Sequence, residues 1–333
     1  MTIAYLITAY DFPEQLARLV NRIKTSKTRV FIHIDANKDV MPFVNAVQVE
    51  QGVEFIQNRV KVNWMGFSQV QSILELLRRA IDFPFENCIL LSGSDYPIKS
   101  NAYIESIYSR DNHQYITFWQ LADRPSWKHK VEYFYPIDQI PIVGHSKNCE
   151  PSFFIRYFWG RFYKYQKYFP KRSFIEGLTP FGGSDWWSLS RDCVEYVLDY
   201  VNRNRNFVSF YRFTQCPSEM FFHTIILNSP FRTQVQNYRE YMQWNASTTV
   251  EAKFSERYMM AEDSFNLRYI DWSGSNSGER ETPAILDERD WPALASTSNI
   301  FARKFHPEKS ASLLARIDRE LLTTDMGNAP VVS

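Results

Sequence analysis

Over its first hundred residues the chain alternates between buried-strand and amphipathic-helix patterns, and this alternation restricts the possible folds more than any other feature. Ile3–Ala9 is a β-rich apolar run, and Glu14–Lys24 follows with Leu16, Leu19, Val20 and Ile23 at helical spacing. Arg29–Asp35 reads R-V-F-I-H-I-D, a second buried strand, and Val53–Gln57 offers a third. Ser68–Ile81 sets Val70, Ile73, Leu74, Leu77 and Ile81 on one face, and Cys88–Ser92 returns to strand. Strands alternating with helices through short loops predict an α/β fold: a Rossmann-like, mostly parallel sheet flanked by helices. Such sheets bind ligands outside the carboxyl ends of their strands. Those ends fall at Thr8–Asp11, Asp35–Asn37 and Ser92–Tyr96. Neither G-x-G-x-x-G nor a Walker loop stands at any of them, which argues against a dehydrogenase or a P-loop kinase.

Beyond residue 115 the pattern loosens. Ser152–Phe174 is basic and aromatic, helices are expected at Arg191–Asn202 and Glu219–Leu227, Ser273–Thr282 is a polar loop, and Pro307–Leu322 closes the chain as a helix. With no internal repeat and no low-complexity linker, residues 1–322 read as one domain, followed by a tail at 323–333. Lys and Arg total 38 against 37 Asp and Glu, so charge makes no case for a nucleic-acid partner. Cys88, Cys149, Cys193 and Cys216 form no C-x-x-C pair, which disfavours a disulfide framework or a zinc site. The opening M-T-I-A-Y-L-I-T-A-Y lacks a basic region, and no stretch approaches twenty apolar residues. A cytoplasmic, reduced location is therefore expected, with the Asn245-Ala-Ser sequon incidental.

Four segments combine polar groups with tight turns. Leu91-Ser-Gly-Ser-Asp-Tyr-Pro-Ile98 ends an apolar strand, so Asp95 either accepts hydrogen bonds from a nucleoside or sugar at the sheet mouth or caps a helix. In Phe181-Gly-Gly-Ser-Asp-Trp-Trp-Ser188 two glycines allow close backbone approach. Asp185 suits hydroxyls there, and Trp186 with Trp187 suits a sugar ring. Cys216-Pro-Ser-Glu-Met-Phe-Phe-His223 places Glu219 in a first helical turn, where the positive helix end favours an ionised general base. His223, one turn on, is either a partner or a core histidine. In Phe301-Ala-Arg-Lys-Phe305, one of Arg303 and Lys304 should point inward, where a cation beside the sheet mouth would suit a diphosphate; Arg280 and Arg289 lie upstream. A solvated charge pair is the plainer reading.

Taken together, in order, these segments resemble the core-2/I-branching and peptide xylosyltransferase family (glycosyltransferase family 14). The resemblance runs from Ile3 to about residue 320. It also takes in H-I-D at 33–35, Trp64-Met-Gly-Phe-Ser68 and C-P-S-E-M-F-F-H-T-I-I-L-N-S-P, and the xylosyltransferase branch looks nearest. It implies an inverting enzyme of GT-A fold that needs no divalent metal and no other cofactor, with a nucleotide-binding half at 1–115 and an acceptor-binding half at 116–322. Such an enzyme moves N-acetylglucosamine, xylose or glucuronic acid from a UDP-sugar to a glycan in β linkage. Glu219 matches the base. Lys304, and across the loop Arg280, match the diphosphate cations, with Arg303 beside them. Asp95, Asp35 and Thr8 fall with the donor, and Asp185, Trp186 and Trp187 with the acceptor. Thr282-Pro283 departs from the family's His-Pro, and the animal enzymes' membrane anchor and disulfide pattern are not seen. Independently, no Asp-x-Asp occurs, the usual means of holding a metal on the diphosphate in this fold. A silent glycan- or nucleotide-binding protein on the same fold is the rival reading, with a sugar-nucleotide hydrolase behind it. Cations interleaved with large rings in 152–174 suit either a peripheral contact with the inner face of the plasma membrane, beside a lipid-linked glycan acceptor, or a buried helix with snorkelling cations.

Overall fold

The computed structural model of the chain describes residues 1–110, 113–139, 161, 162, 164–247, 265–272 and 283–323. Strand β1 (Ile3–Ala9), helix α1 (Pro13–Ile23), β2 (Thr28–Ile34), β3 (Val53–Phe55), α3 (Phe67–Ala80) and β4 (Asn87–Ser92) follow one another as the sequence pattern predicts, with a short helix α2 (Met41–Val47) between β2 and β3 that the pattern did not indicate. Strand β5 (Tyr96–Pro97) and helix α4 (Asn101–Arg110) come next, then short strands β6 (Tyr115–Ile116) and β7 (Trp119–Gln120), helix α5 (Lys128–Glu132), β8 (Phe181–Gly182) and β9 (Trp187–Ser190). Strands β10 (Arg268–Ile270) and β11 (Phe301–Arg303) lie near the end of the chain.

The main sheet has six strands in the order β3-β2-β1-β4-β9-β6. The first four are parallel; β9 runs antiparallel to β4 and to β6, so the sheet is mixed. Both faces are covered. Successive side chains of a strand alternate faces, so Ala4 and Leu6 enter one core with α3, while Ile3, Tyr5 and Ile7 enter the other with α1. A second sheet, β10-β11-β5, abuts the carboxyl end of β4, because only three residues separate β4 from β5. The corner between the two sheets is therefore the turn that carries Asp95.

Two predicted helices differ from those observed. Glu219–Leu227 is not continuous: a 3₁₀ turn spans Pro217–Glu219, Met220 leaves helical geometry at φ −138°, and the α-helix is Phe221–Leu227. The closing helix is Ala311–Glu320, shorter than expected, since His306 Nδ1 accepts from the Glu308 and Lys309 N–H groups and folds 306–309 into a turn. That helix is pinned to the start of the chain. Asp318 receives Arg18 at 2.8 Å, Arg22 at 2.9 Å and the Tyr96 hydroxyl at 2.7 Å. Cys88, Cys193 and Cys216 are free thiols, and Cys149 lies outside the described residues. Among the described residues no helix is long and apolar enough to cross a membrane.

Candidate active site

Glu219 is held by its backbone before its side chain does anything. Cys216 adopts a left-handed φ of 50°, and its N–H donates to the Met65 carbonyl at 3.0 Å, seating the 3₁₀ turn on the Trp64–Ser68 loop. That loop is in turn fixed by Asp138, which accepts from the Ser68 N–H (2.9 Å), the Ser68 hydroxyl (2.6 Å) and Asn63 Nδ2 (3.0 Å). Glycine at 66 leaves room for this carboxylate, since a Cβ there would lie 2.4 Å from Asp138 Oδ1 and displace it from these hydrogen bonds. On the other side, the Gly183 N–H donates to the Glu219 carbonyl at 2.8 Å.

The carboxylate meets Lys130 of α5, with Nζ 2.7 Å from Oε2. Lys130 is itself clamped against the Trp127 ring, 3.3 Å from its centre. With 28% of its side chain exposed, Glu219 remains reachable from solvent. Burial, and after it the nearby Asp185 carboxyl, push the Glu219 carboxyl up, Lys130 opposes both, and the net position is about 7. The expectation that a helix end would favour the ionised form is thus corrected. Glu219 precedes the α-helix and caps none of its N–H groups, and low solvation outweighs the dipole. The Cys216 thiol beside it is kept protonated by burial and by the Glu219 charge.

The Gly182-Gly183 pair turns out to serve internal packing. A Cβ on Gly183 would fall 1.8 Å from the Thr117 carbonyl oxygen and 2.5 Å from His223 Nε2, and one on Gly182 would press on Trp119 and Trp127. His223 is a buried core histidine whose ring burial holds neutral, its pKa lowered to about 3. Asp185 is half-buried with Oδ1 lacking a hydrogen-bond partner, and burial raises its pKa against the pull of Ser218, Arg303 and Lys130. The tandem indoles do not form a sugar platform. Trp187 is fully buried in β9 against Phe222, and the Trp186 ring carries the Arg303 guanidinium 4.1 Å from its centre. Trp64, an exposed indole at 55%, stands on the loop whose Met65 carbonyl accepts from the Cys216 N–H.

Asp95 is also placed differently from expectation. It is fully buried, accepts from the Ser92 N–H (3.1 Å) and hydroxyl (2.8 Å), and faces Arg303 at 3.2 Å and Arg268 at 3.6 Å. It has no surface to offer a ligand directly; its influence runs through the arginines. Arg268, from β10, is fully buried and donates to the carbonyls of Asn266 and Leu90. Among the described residues two cations, Arg268 and Arg303, face the Asp95 carboxylate, Asp185 also lies within the reach of Arg303, and Arg303 is the cation that keeps some exposure, at 16%. Lys304 is half-buried on a backbone bracketed by Ala284 and Leu286. Arg289 pairs with Asp287, and Arg280 with Thr282 lies outside the described residues.

Most of the predicted residues follow one path along the carboxyl ends of the sheet. Asp35 donates its N–H to the Ala9 carbonyl and folds its own turn through the Asn37 and Val62 N–H groups. Thr8 pairs in register with Ser92, Ser92 holds Asp95, Asp95 holds Arg303, and Arg303 covers Trp186 next to Asp185 and Glu219. Lys130 was missed by sequence reasoning. It sits in no motif, and its one signal was the adjacent Trp127. Such a site combines a reachable carboxylate of near-neutral affinity for protons with an arginine held in place over Trp186. It can accept a proton from a hydroxyl on one side and stabilise an anionic leaving group on the other.

A profile of the family described as Core-2/I-Branching enzyme matches residues 3–295. Xylosyltransferase 1 of Rattus norvegicus is 24% identical over 328 residues, covering 95% of this chain and 34% of the relative. Xylosyltransferase 1 of Homo sapiens is 25% identical over 329 residues (95% and 29%), and human Xylosyltransferase 2 is 24% identical over 333 residues (96% and 33%). The chain thus spans about a third of the length of these curated relatives. A solved galactosyltransferase, LgtC, in complex with donor and acceptor sugar analogues, aligns over 98% of both chains at a TM-score of 0.40 and 8% identity, too distant to bear on the fold. With the family profile matched over nearly its whole length, the chain belongs to the Core-2/I-Branching enzyme family.

Proposed function

We propose that this protein is an inverting glycosyltransferase of GT-A type that moves a sugar, xylose or N-acetylglucosamine, from a UDP-sugar to a hydroxyl of a glycan acceptor. The observation that carries the reading is the pairing of Glu219, reachable and close to neutrality, with the Arg303 corner along one sheet edge. Glu219 takes the acceptor proton as the oxygen attacks the anomeric carbon; the new C–O bond forms while the bond to the β-phosphate breaks. One displacement turns an α-linked donor into a β product. Charge growing on the departing UDP falls to Arg303 and Lys304, and the missing Asp-x-Asp supports cations rather than a metal in that role. Trp64 offers an exposed ring face to donor or acceptor. The relatives' names favour xylose as the first donor to try.

The test is UDP release with a panel of UDP-sugars and acceptors, using the wild-type chain and Glu219→Gln. Transfer should fall at least ~10²-fold in the variant while donor binding persists, the scale for losing a general base. Donor binding with no turnover in the wild type would favour a silent binding protein. Free sugar released at full rate without acceptor would make it a hydrolase.

A further inference from the structure

Among the described residues of 161–172, polarity is turned inside out. Residues 161–162 and 164–166 are helical, and the side chain this stretch buries is a glutamine: Gln166 is 6% exposed. Its amide is paired on both sides, the oxygen accepting from the Phe134 N–H at 2.7 Å and the nitrogen donating to the Phe134 carbonyl at 2.9 Å. The aromatic rings face the other way. Tyr168 is 72% exposed and Phe169 63%, with Phe162, Tyr165 and the neighbouring Phe134 exposed beside them. The buried-helix alternative is therefore set aside for the described part of this segment. Large apolar groups clustered in water are costly, and such a patch marks a contact surface.

Charge names the partner. Residues 151–175 contain no Asp or Glu, while Arg161, Lys164, Lys167, Lys171 and Arg172 lie within the described stretch. Lys167 rests over the Tyr168 ring at 4.9 Å and Arg161 over Tyr165 at 5.6 Å, so cations and rings share one surface. Rings at head-group depth with cations beside them suit a membrane interface carrying negative lipid.

The patch is also tied to the base. Lys171 pairs with the Glu132 carboxylate at 2.6 Å, and the Arg172 N–H donates to the Glu132 carbonyl at 2.9 Å. Glu132 shares α5 with Lys130, which touches Glu219. One five-residue helix thus joins the exposed rings to the candidate base. We propose that the face formed by Phe134, Tyr165, Tyr168 and Phe169 with Lys164 and Lys167 docks the protein on an anionic lipid surface. Resting on the glycosyltransferase reading, this brings Glu219 to acceptors carried at that surface.

Flotation of the full chain with vesicles of phosphatidylcholine, with and without phosphatidylglycerol, tests it. Binding should require phosphatidylglycerol, weaken with added salt, and fall about tenfold or more in Lys164→Gln/Lys167→Gln. Tyr168→Ser/Phe169→Ser should lose binding while melting like the wild type and releasing UDP normally with a soluble acceptor. Absence of flotation, or flotation indifferent to lipid charge and to the lysines, overturns the proposal. So does a concentration-dependent dimer, abolished by the ring variant, in a chain that does not float. Because flotation needs no donor, floating without transfer refutes the enzymatic reading alone, and transfer without floating refutes the docking alone.

Discussion

Lys130 Nζ lies 2.7 Å from Glu219 Oε2 while its ammonium rests 3.3 Å from the centre of the Trp127 ring. The ring fixes the cation, and the cation restrains the proton affinity of a carboxyl that burial and Asp185 raise. Without Lys130 the carboxyl would spend more of its time protonated and unable to act as a base.

That relationship sets a pH dependence. A base works when deprotonated, so kcat/KM should rise with pH through a limb near 7, the position to which Glu219 is raised by burial and by its neighbour Asp185. Lys130→Met removes the lowering partner, so the limb should move up by about one unit or more. Activity lost near neutrality should then partly return at alkaline pH. A pH–rate profile of both proteins decides this, and an unmoved limb would dissociate Lys130 from the base.

Asp95→Asn keeps the Ser92 contacts and removes the charge that faces Arg303 and Arg268. Breaking a buried ion pair costs on the order of 3–5 kcal/mol, so denaturant titration should show a clear loss of stability. With Arg303 no longer anchored over Trp186, UDP binding should weaken more than uridine binding. Calorimetry with the two ligands separates the cases, and equal weakening would indicate a structural role alone.

Transfer should persist in excess EDTA if cations neutralise the diphosphate. Lys304→Ala should raise the Kd for UDP while leaving uridine nearly unaffected. Loss of activity in chelator that Mn²⁺ restores would overturn this charge assignment.

Gly183→Ala would place a Cβ 1.8 Å from a backbone oxygen of Thr117, which cannot swing aside as a side-chain end could. The strand and the 3₁₀ turn that Gly183 joins must then separate, at about 3 kcal/mol or more. A thermal melt should show a marked drop in Tm, and an unchanged Tm would contradict the tight packing around His223.

Much of this fold was legible because its strands and helices declare themselves locally. The period-two alternation of Ile3–Ile7 and the helical spacing of Leu16, Leu19, Val20 and Ile23 each reflect one element meeting one core. The site was legible mainly as polar residues stranded at strand ends. Which of them face a ligand was not, because Asp95 and Trp187 differ from Arg303 and Glu219 only in what packs over them.

The sequence by itself determined the family and the order of the longer strands and helices in the first hundred residues, and it singled out the segments proposed to carry chemistry, though not the short helix Met41–Val47 or the short strand Tyr96–Pro97. These depend on residue type and spacing along the chain. Only the tertiary structure decided that Glu219 meets Lys130, 89 positions away, that Asp95 is buried against Arg303, and that the rings of Phe162, Tyr165, Tyr168 and Phe169 are exposed. Each of those depends on desolvation and on contacts between segments far apart in sequence, and neither quantity exists until the chain has folded.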